Sequence, residues 1–355
     1  MPVRIASVDV VPYALPFRKP YVTARGRLEQ REMVLLRLRS EEGLIGLGEA
    51  VPLSLRGGAT LTRVVEELRR LGEREALDEA TLNGETIGLS PPARCAALTA
   101  LLDLRGRRAV AEHGEAAGAA AAPVRCNATL VAGEPAAVAA EAEDWATDGF
   151  SSFKLKLGVG DDVGQVRAVR EAVGDDACIR VDVNGSWDVE TAKRRLTELE
   201  PFDIELAEQP VATIEEAAEL AASTLIPIAA DESVESRADA ERAAAAGACA
   251  MTGIKLSKVG GPEEAISIAE VLPAYLTSAL DGPVGIAAAA QVAETLTEAG
   301  ARPGTGLAHG LATLRLFAST IAAEGPELRG DMLHSPPGPG LGVAIDDEAL
   351  RAHRL

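Results

Sequence analysis

At 355 residues the chain is long for one small domain and suits a barrel of roughly 250 residues plus an added domain. Its formal net charge of −19 argues against nucleic acid and anionic membranes as partners, since both demand basic patches, yet it admits a small anionic substrate. Local cations and a metal outweigh the global charge within a Debye length of roughly 10 Å. No uncharged run of about 18 residues is present, and Met1-Pro2-Val3-Arg4-Ile5 lacks the apolar stretch of a signal peptide. Cys95, Cys126, Cys178 and Cys249 are scattered without C-x-x-C spacing, so reduced core thiols in a cytoplasmic protein are expected.

Residues 3–13 and 33–39 alternate in a strand-like way, and Gly43 to Gly48 marks a turn before another apolar segment, which together predict an antiparallel meander. Helical periodicity follows over 61–72 and 92–110, the second after the Pro91-Pro92 start signal. Residues 1–122 are therefore read as an N-terminal α+β domain. The Ala-rich stretch 116–122 with Pro123 is its boundary.

From Val124 strands and Ala/Glu-rich helices alternate strictly, which predicts a parallel sheet with right-handed crossovers. Strands are expected near 125–130, 150–157, 178–184, 204–208, 226–231, 251–256, 275–279 and 306–309, enough to close a β/α barrel over 123–325. The stretch Glu263–Tyr275 is short, so the sixth helix should be truncated. Residues 326–355 are expected to return to the first domain, with Val343 to Asp346 as a strand.

Five charges punctuate the second half: Lys156, Asp182, Glu208, Asp231 and Lys255, at intervals of 26, 26, 23 and 24 residues. A strand of roughly 5–6 residues, a helix of roughly 11–12 and two connections add up to about that length, so each charge closes one βα unit at the C-terminal rim. Three carboxylates converging there repel one another unless a cation holds them, and an oxygen-only set suits Mg²⁺ or Mn²⁺. Flanking lysines make this a site for proton transfer beside a metal-held anion.

The period of two puts Lys154 and Lys156 on one face of their strand and Phe153, Leu155 and Leu157 on the helix-facing side. Asp182 and Asn184 share the interior face in the same way. Glu205 falls on the face opposite Glu208 and needs a basic partner among the helices. Of Asp231 and Glu232 only one can point inward, so Asp231 is the ligand and Glu232 a supporting group. Lys255 lies in its strand, whereas Lys258 faces a different way and reads as a solvated or structural lysine. His309 reads as a core or rim histidine.

K-x-K at Lys154 and Lys156, D-x-N at Asp182 and Asn184, E-Q-P at Glu208, D-E-S at Asp231 and I-K-L-x-K-x-G-G at Lys255 together resemble the muconate-cycloisomerase-like branch of the enolase superfamily, along nearly the whole chain. The resemblance implies a modified (β/α)7β TIM-type barrel with an N-terminal capping domain, and Mg²⁺ held by Asp182, Glu208 and Asp231. It implies Lys156 as general base and Lys255 as the opposing acid/base or cation, with Lys154 beside them. Removing a proton α to a carboxylate creates an enediolate, which a divalent cation stabilises. A lysine of unperturbed pKa about 10.4 must be lowered toward roughly 7–8 to act as the base.

Thr277-Ser278-Ala279-Leu280-Asp281-Gly282 resembles the seventh-strand segment of o-succinylbenzoate synthases, which implies loss of water from a cyclohexadiene carboxylate in menaquinone biosynthesis. Ser278 and Gly285 are then candidates for holding the succinyl tail, and Arg25 and Arg56, in loops 21–25 and 53–58, for a substrate anion. Glu327-Leu328-Arg329 stands where dipeptide epimerases carry D-x-D, which disfavours a cationic substrate, and its Glu-Leu echoes muconate cycloisomerases. Muconate cycloisomerase, N-succinylamino acid racemase and dipeptide epimerase remain the alternatives; a catalytically silent binding barrel is the reading from another class. A small carboxylate substrate and a homo-oligomeric assembly are expected.

Overall fold

A computed structural model describes residues 3–23, 26–54, 57–74, 77–114, 122–298 and 306–355. The N-terminal part is a four-stranded antiparallel sheet of β1 (Arg4–Thr23), β2 (Gly26–Ser40), β3 (Ile45–Ala50) and β4 (Leu77–Asp78), in the order β3-β2-β1-β4. It is covered by α1 (Leu61–Gly72), α2 (Glu79–Glu85) and α3 (Pro91–His113). The first two strands run well past the expected alternation, because they pair with each other as a long hairpin out to Thr23 and Gly26, and in the part nearest the helices both faces are buried. Val34, Leu36 and Leu38 pack under the sheet's own helices, whereas Met33 and Leu35 join the core of the following domain. The apolar run Met33–Leu36 is thus a central layer between two cores.

The second part is a seven-stranded parallel sheet. Its strands are β6 (Ala128–Leu130), β7 (Ser152–Lys156), β8 (Cys178–Asp182), β9 (Ile204–Glu208), β10 (Ile228–Ala230), β11 (Met251–Ile254) and β12 (Ala274–Leu276), in sequential order. The eighth strand is reduced to two bridges: His309 pairs with Cys126, and Gly310 with Thr277. Those bridges join the two edges of the curled sheet, so the barrel closes with two residues where a full strand was expected. The preceding β5 (Val124–Arg125) leaves the barrel and pairs instead with β15 (Met332–His334).

Helices α4 (Pro135–Thr147), α5 (Asp162–Val173), α6 (Val189–Leu199), α7 (Ile214–Ala221) and α8 (Arg237–Ala246) cover the outer face. Local chemistry sets their ends. Thr213 and Glu216 form a reciprocal capping box at α7, and Gly247 ends α8 in the left-handed region at φ 62°. The sixth crossover is truncated as expected, into a single turn α9 (Leu256–Val259) and an eight-residue α10 (Pro262–Ala269), and α11 (Pro283–Glu298) follows β12. Leu206, Ala229 and Tyr275 fill the barrel interior, with Met251 and Leu307 packed on them.

The C-terminal segment departs from expectation. β13 (Ala322–Glu324) pairs with β16 (Ala344–Ile345), and β14 (Glu327–Arg329) with β15, so residues near Val343 pair with β13 and not with the N-terminal sheet. Contact with that sheet comes later, through α12 (Asp347–His353) and a bridge between Tyr13 and Arg354. Glu205 also departs from its expected face. A register shift between β8 and β9 turns it to Arg180, which lies on the same face as Asp182. All four cysteines are free, Cys95 and Cys126 buried and the other two half-buried. No helix among the described residues is long and apolar enough to cross a membrane.

Candidate active site

Three consecutive parallel pairings bring the charges to one rim: Lys156 sits opposite Asp182, and Asp182 opposite Glu208, with Asp231 directly after β10. Asp182, Glu208 and Asp231 are buried, and one carboxylate oxygen of each lies within 4.8 Å of the others. Lys154 bridges the first two, its Nζ donating to Glu208 at 2.6 Å and lying 2.7 Å from Asp182 Oδ2. Lys156 donates to Asp182 Oδ2 at 2.5 Å and to Asn184 Oδ1 at 3.1 Å, while Lys255 donates to Asp231 on the other flank. Asn184 passes the contact on, its Nδ2 donating to Glu232 Oε1 at 3.1 Å.

The lysine pKa values run against the sequence expectation. Burial is the largest influence on Lys156 and disfavours its charge, but the Asp182 carboxylate, with smaller help from Tyr21 and Glu208, leaves it above its ordinary value. Lys154 is raised likewise, because Asp182, Glu208 and Asp231 outweigh its burial. In the acid cluster alone the ammonium groups serve as the counterions. Burial opposes ionisation of Asp182, yet Lys154, Lys156 and Lys255 hold its carboxyl well below the usual range; Glu208 is raised by burial and by the charge of Asp182.

Four supporting residues escaped the sequence reading. Lys258 is buried, not solvated: its Nζ donates to Asp231 Oδ1 and Val234 O, both at 3.0 Å, and to the Asp231 carbonyl. The strand passes straight into the turn of α9, so lysines three apart reach the same acid. Gln209 Oε1 accepts from Asp231 N at 2.8 Å and from Ser233 N and Oγ, which shapes the turn that aims Asp231. From below, Tyr275 Oη donates to Glu208 Oε2 at 2.6 Å, and the Arg180 guanidinium lies 5.3 Å from the centre of its ring. Arg180 Nη1 donates to Ala308 O at 2.6 Å. His309 is pushed down to about 4 by burial and then by Arg180, and its Nδ1 accepts from Leu276 N, so it serves the strand closure.

Above the cluster a cleft is walled on one side by Tyr21, Leu28, Arg31, Pro52 and Leu53 from the N-terminal domain and on the other by Thr277 to Leu280, Gly310 and Thr313. Lys154, Lys156, Asn184 and Lys255 line its floor. Arg25 and Arg56 lie outside the described residues. Arg31, which donates to Pro52 O at 2.8 Å, is the arginine that the described structure places in the wall. Ser278 lines the cleft and bonds Asp281, but Gly285 does not reach it; that residue sits in the first turn of α11 against Glu49. Glu327 and Arg329 pair with each other at 2.8 Å on the exposed β14 and do not line the described cleft. The eighth position of the rim belongs to Gly310 and Thr313.

The trio's chemistry fits a hard divalent cation. Its donors are all carboxylate oxygens, they come from three adjacent strands, and the site is enclosed enough for the negative charge to need a partner. Comparison with known proteins agrees. The mandelate racemase/muconate lactonizing enzyme N-terminal domain model matches residues 5–112, and the enolase C-terminal domain-like model matches residues 137–349. An o-succinylbenzoate synthase of Thermobifida fusca is 38% identical over 208 residues, a match that covers 56% of this chain and 64% of that protein. The crystal structure of a muconate lactonizing enzyme from Pseudomonas fluorescens, complexed with muconolactone, superposes with a TM-score of 0.88 at 29% identity, covering 99% of each chain. A dipeptide epimerase from Enterococcus faecalis, solved with Mg and L-Leu-L-Tyr, superposes with a TM-score of 0.86 at 26% identity, covering 97% of this chain and 100% of that one. These similar proteins are enzymes acting on small carboxylates, and with both domain models matching in order around a rim of three acids and flanking lysines, the chain belongs to the enolase superfamily.

Proposed function

We propose that the protein is an o-succinylbenzoate synthase, removing a proton α to a carboxylate and then β-eliminating water from the ring to give an aromatic product. The observation that carries this reading is the charge of the cleft: among the described residues its lining holds Arg31, Lys154, Lys156 and Lys255 and no carboxylate. Such a lining suits a substrate with two anionic groups, one at the floor and one, the succinyl tail, toward Arg31 and the hydroxyls of Thr277 and Ser278. Among the described residues it offers no carboxylate to the ammonium group of a dipeptide. The identity shared with the Thermobifida synthase supports the same choice.

In this reading Asp182, Glu208 and Asp231 hold Mg²⁺ or Mn²⁺, which supplies positive charge beside the substrate carboxylate as the α-carbon gives up its proton. Lys156 takes that proton and returns it to the departing hydroxyl. Lys255, on the opposite flank, lends its charge to the ring face. Asn184 orients Lys156 through the 3.1 Å contact, and the apolar wall of Tyr21, Leu28 and Leu53 excludes water. Because Lys156 and Lys255 flank the trio from opposite sides, the same pair suits a racemase of N-succinylamino acids, which is the second reading.

Assays on purified, metal-loaded protein separate the candidates. Dehydration of the succinyl-hydroxycyclohexadiene carboxylate is expected. Deuterium exchange into N-succinylamino acids without dehydration would transfer the assignment to the racemase, and turnover of muconate or of dipeptides alone would reject both readings.

A further inference from the structure

A second buried acid cluster lies where the two domains meet. Glu49, near the end of β3, is about 1% exposed, and the groups that act on it among the described residues include no lysine or arginine. Its partners are neutral donors. Tyr13 Oη donates to Oε2 at 2.8 Å, Gly282 N donates to Oε1 at 2.6 Å, and the Gly285 N–H also points at the carboxylate. Both glycines are required by this approach: a Cβ on Gly282 would lie 2.4 Å from Tyr13 Oη, and one on Gly285 2.8 Å from Glu49 Oε1.

Gly282 precedes α11 and Gly285 lies in its first turn, shortly after the segment Thr277–Leu280 that walls the cleft. That segment is a tight turn. Ser278 Oγ donates to Asp281 Oδ2 and accepts from Asp281 N, both at 2.8 Å, Ala279 N donates to the same carboxylate at 2.7 Å, and Leu280 is held at φ 67°. A leucine in the left-handed region is unfavourable and persists only where its surroundings over-determine it. Asp281 ties the turn to Ser257 at 3.3 Å behind the cleft, and Glu49 ties its far end to the N-terminal domain. Three residues beyond Glu49 the chain becomes the opposite wall, at Pro52 and Leu53.

We propose that Glu49 is a positioning residue, which sets the Thr277–Leu280 wall against the Pro52–Leu53 wall and so fixes the width of the cleft in which the substrate is read. An apolar contact would dock two domains with less desolvation cost, and a buried carboxylate with directional donors is a device for fixing one register between them. The proposal rests on the cleft being the substrate site, and its test is arranged to stand apart from the identity of the substrate.

Hydrogen–deuterium exchange on Mg²⁺-loaded protein compares Glu49→Gln with the parent, alongside Mn²⁺ affinity and steady-state turnover of the succinyl-hydroxycyclohexadiene carboxylate. Glu49→Gln keeps the size of the side chain while replacing one acceptor oxygen by a donor that meets other donors. Faster exchange confined to residues 277–286, with unchanged Mn²⁺ affinity, is expected. Where turnover is seen, KM should rise about tenfold with kcat held within about twofold. Should Glu49→Gln fail to fold, Tyr13→Phe, which removes one donor only, is expected to change the same observables in the same direction by a smaller factor. Exchange that rises evenly across β3, α3 and α11, or a lowered melting point with KM unmoved, would show a merely structural role and overturn the proposal. A parent enzyme inactive on that substrate would count against the proposed function alone, since the exchange pattern still decides the role of Glu49.

Discussion

Two buried clusters of carboxylates sit within this fold, and they are solved by opposite means. At the barrel rim Asp182, Glu208 and Asp231 are met by Lys154, Lys156, Lys255 and Lys258, and they stay crowded with cations. At the domain junction Glu49 and Asp281 are met by a phenol, two serine hydroxyls and backbone N–H groups. Burial and the charge of Asp281 then raise Glu49 to about 7, whereas Asp182, in a comparable depth of protein, is driven low. Cationic partners make a carboxylate cluster ready to exchange a lysine for a metal ion. Neutral donors make one that holds geometry and tolerates a proton.

The sharpest way to break this contrast is to remove the proposed base. Lys156→Ala is expected to lower turnover by about 10²–10⁴-fold, the usual loss for a general base, while Mn²⁺ affinity does not fall, because the variant removes a competing cation from Asp182. Turnover within tenfold of the parent would reassign the base. A smaller effect is expected beneath the rim. Tyr275→Phe deletes the hydroxyl that orients Glu208 and should weaken Mn²⁺ binding by about tenfold in a calorimetric titration. Unchanged affinity would mean that the barrel core alone aims Glu208.

The smallest effect concerns pH. Glu49 is raised from 4.5 to about 7 in the folded protein, so between those values the native state binds more protons than the unfolded chain, and stability falls as pH rises through that window. Glu49→Gln removes this contribution. A plot of melting temperature against pH should therefore be flatter for the variant between about 4.5 and 7, and identical slopes would show that burial and the charge of Asp281 do not raise Glu49 in this way.

The rim was legible because its chemistry is local and periodic. One charge per βα unit survives any error in element boundaries, and strand alternation places Lys154 with Lys156 and Asp182 with Asn184. What resisted reading depends on breaks in that periodicity or on distant chain. A bulge carried Glu205 to the interior, and a single helical turn brought Lys258 back to Asp231. The eighth strand shrank to His309 and Gly310, so Glu327 and Arg329, expected near the rim, lie on an exposed hairpin. Glu49 meets Gly282 across 233 positions of sequence, a contact that no spacing announces. Arg31 was hidden inside a strand whose second buried face comes only from domain packing.

Anomalous diffraction from crystals grown with Mn²⁺ tests the central claim most directly. A single strong peak at the barrel mouth, bonded by one oxygen each from Asp182, Glu208 and Asp231, with Lys156 and Lys255 on opposite sides, is the predicted result. A saturated crystal with no peak there, or with manganese held by other residues, would contradict it.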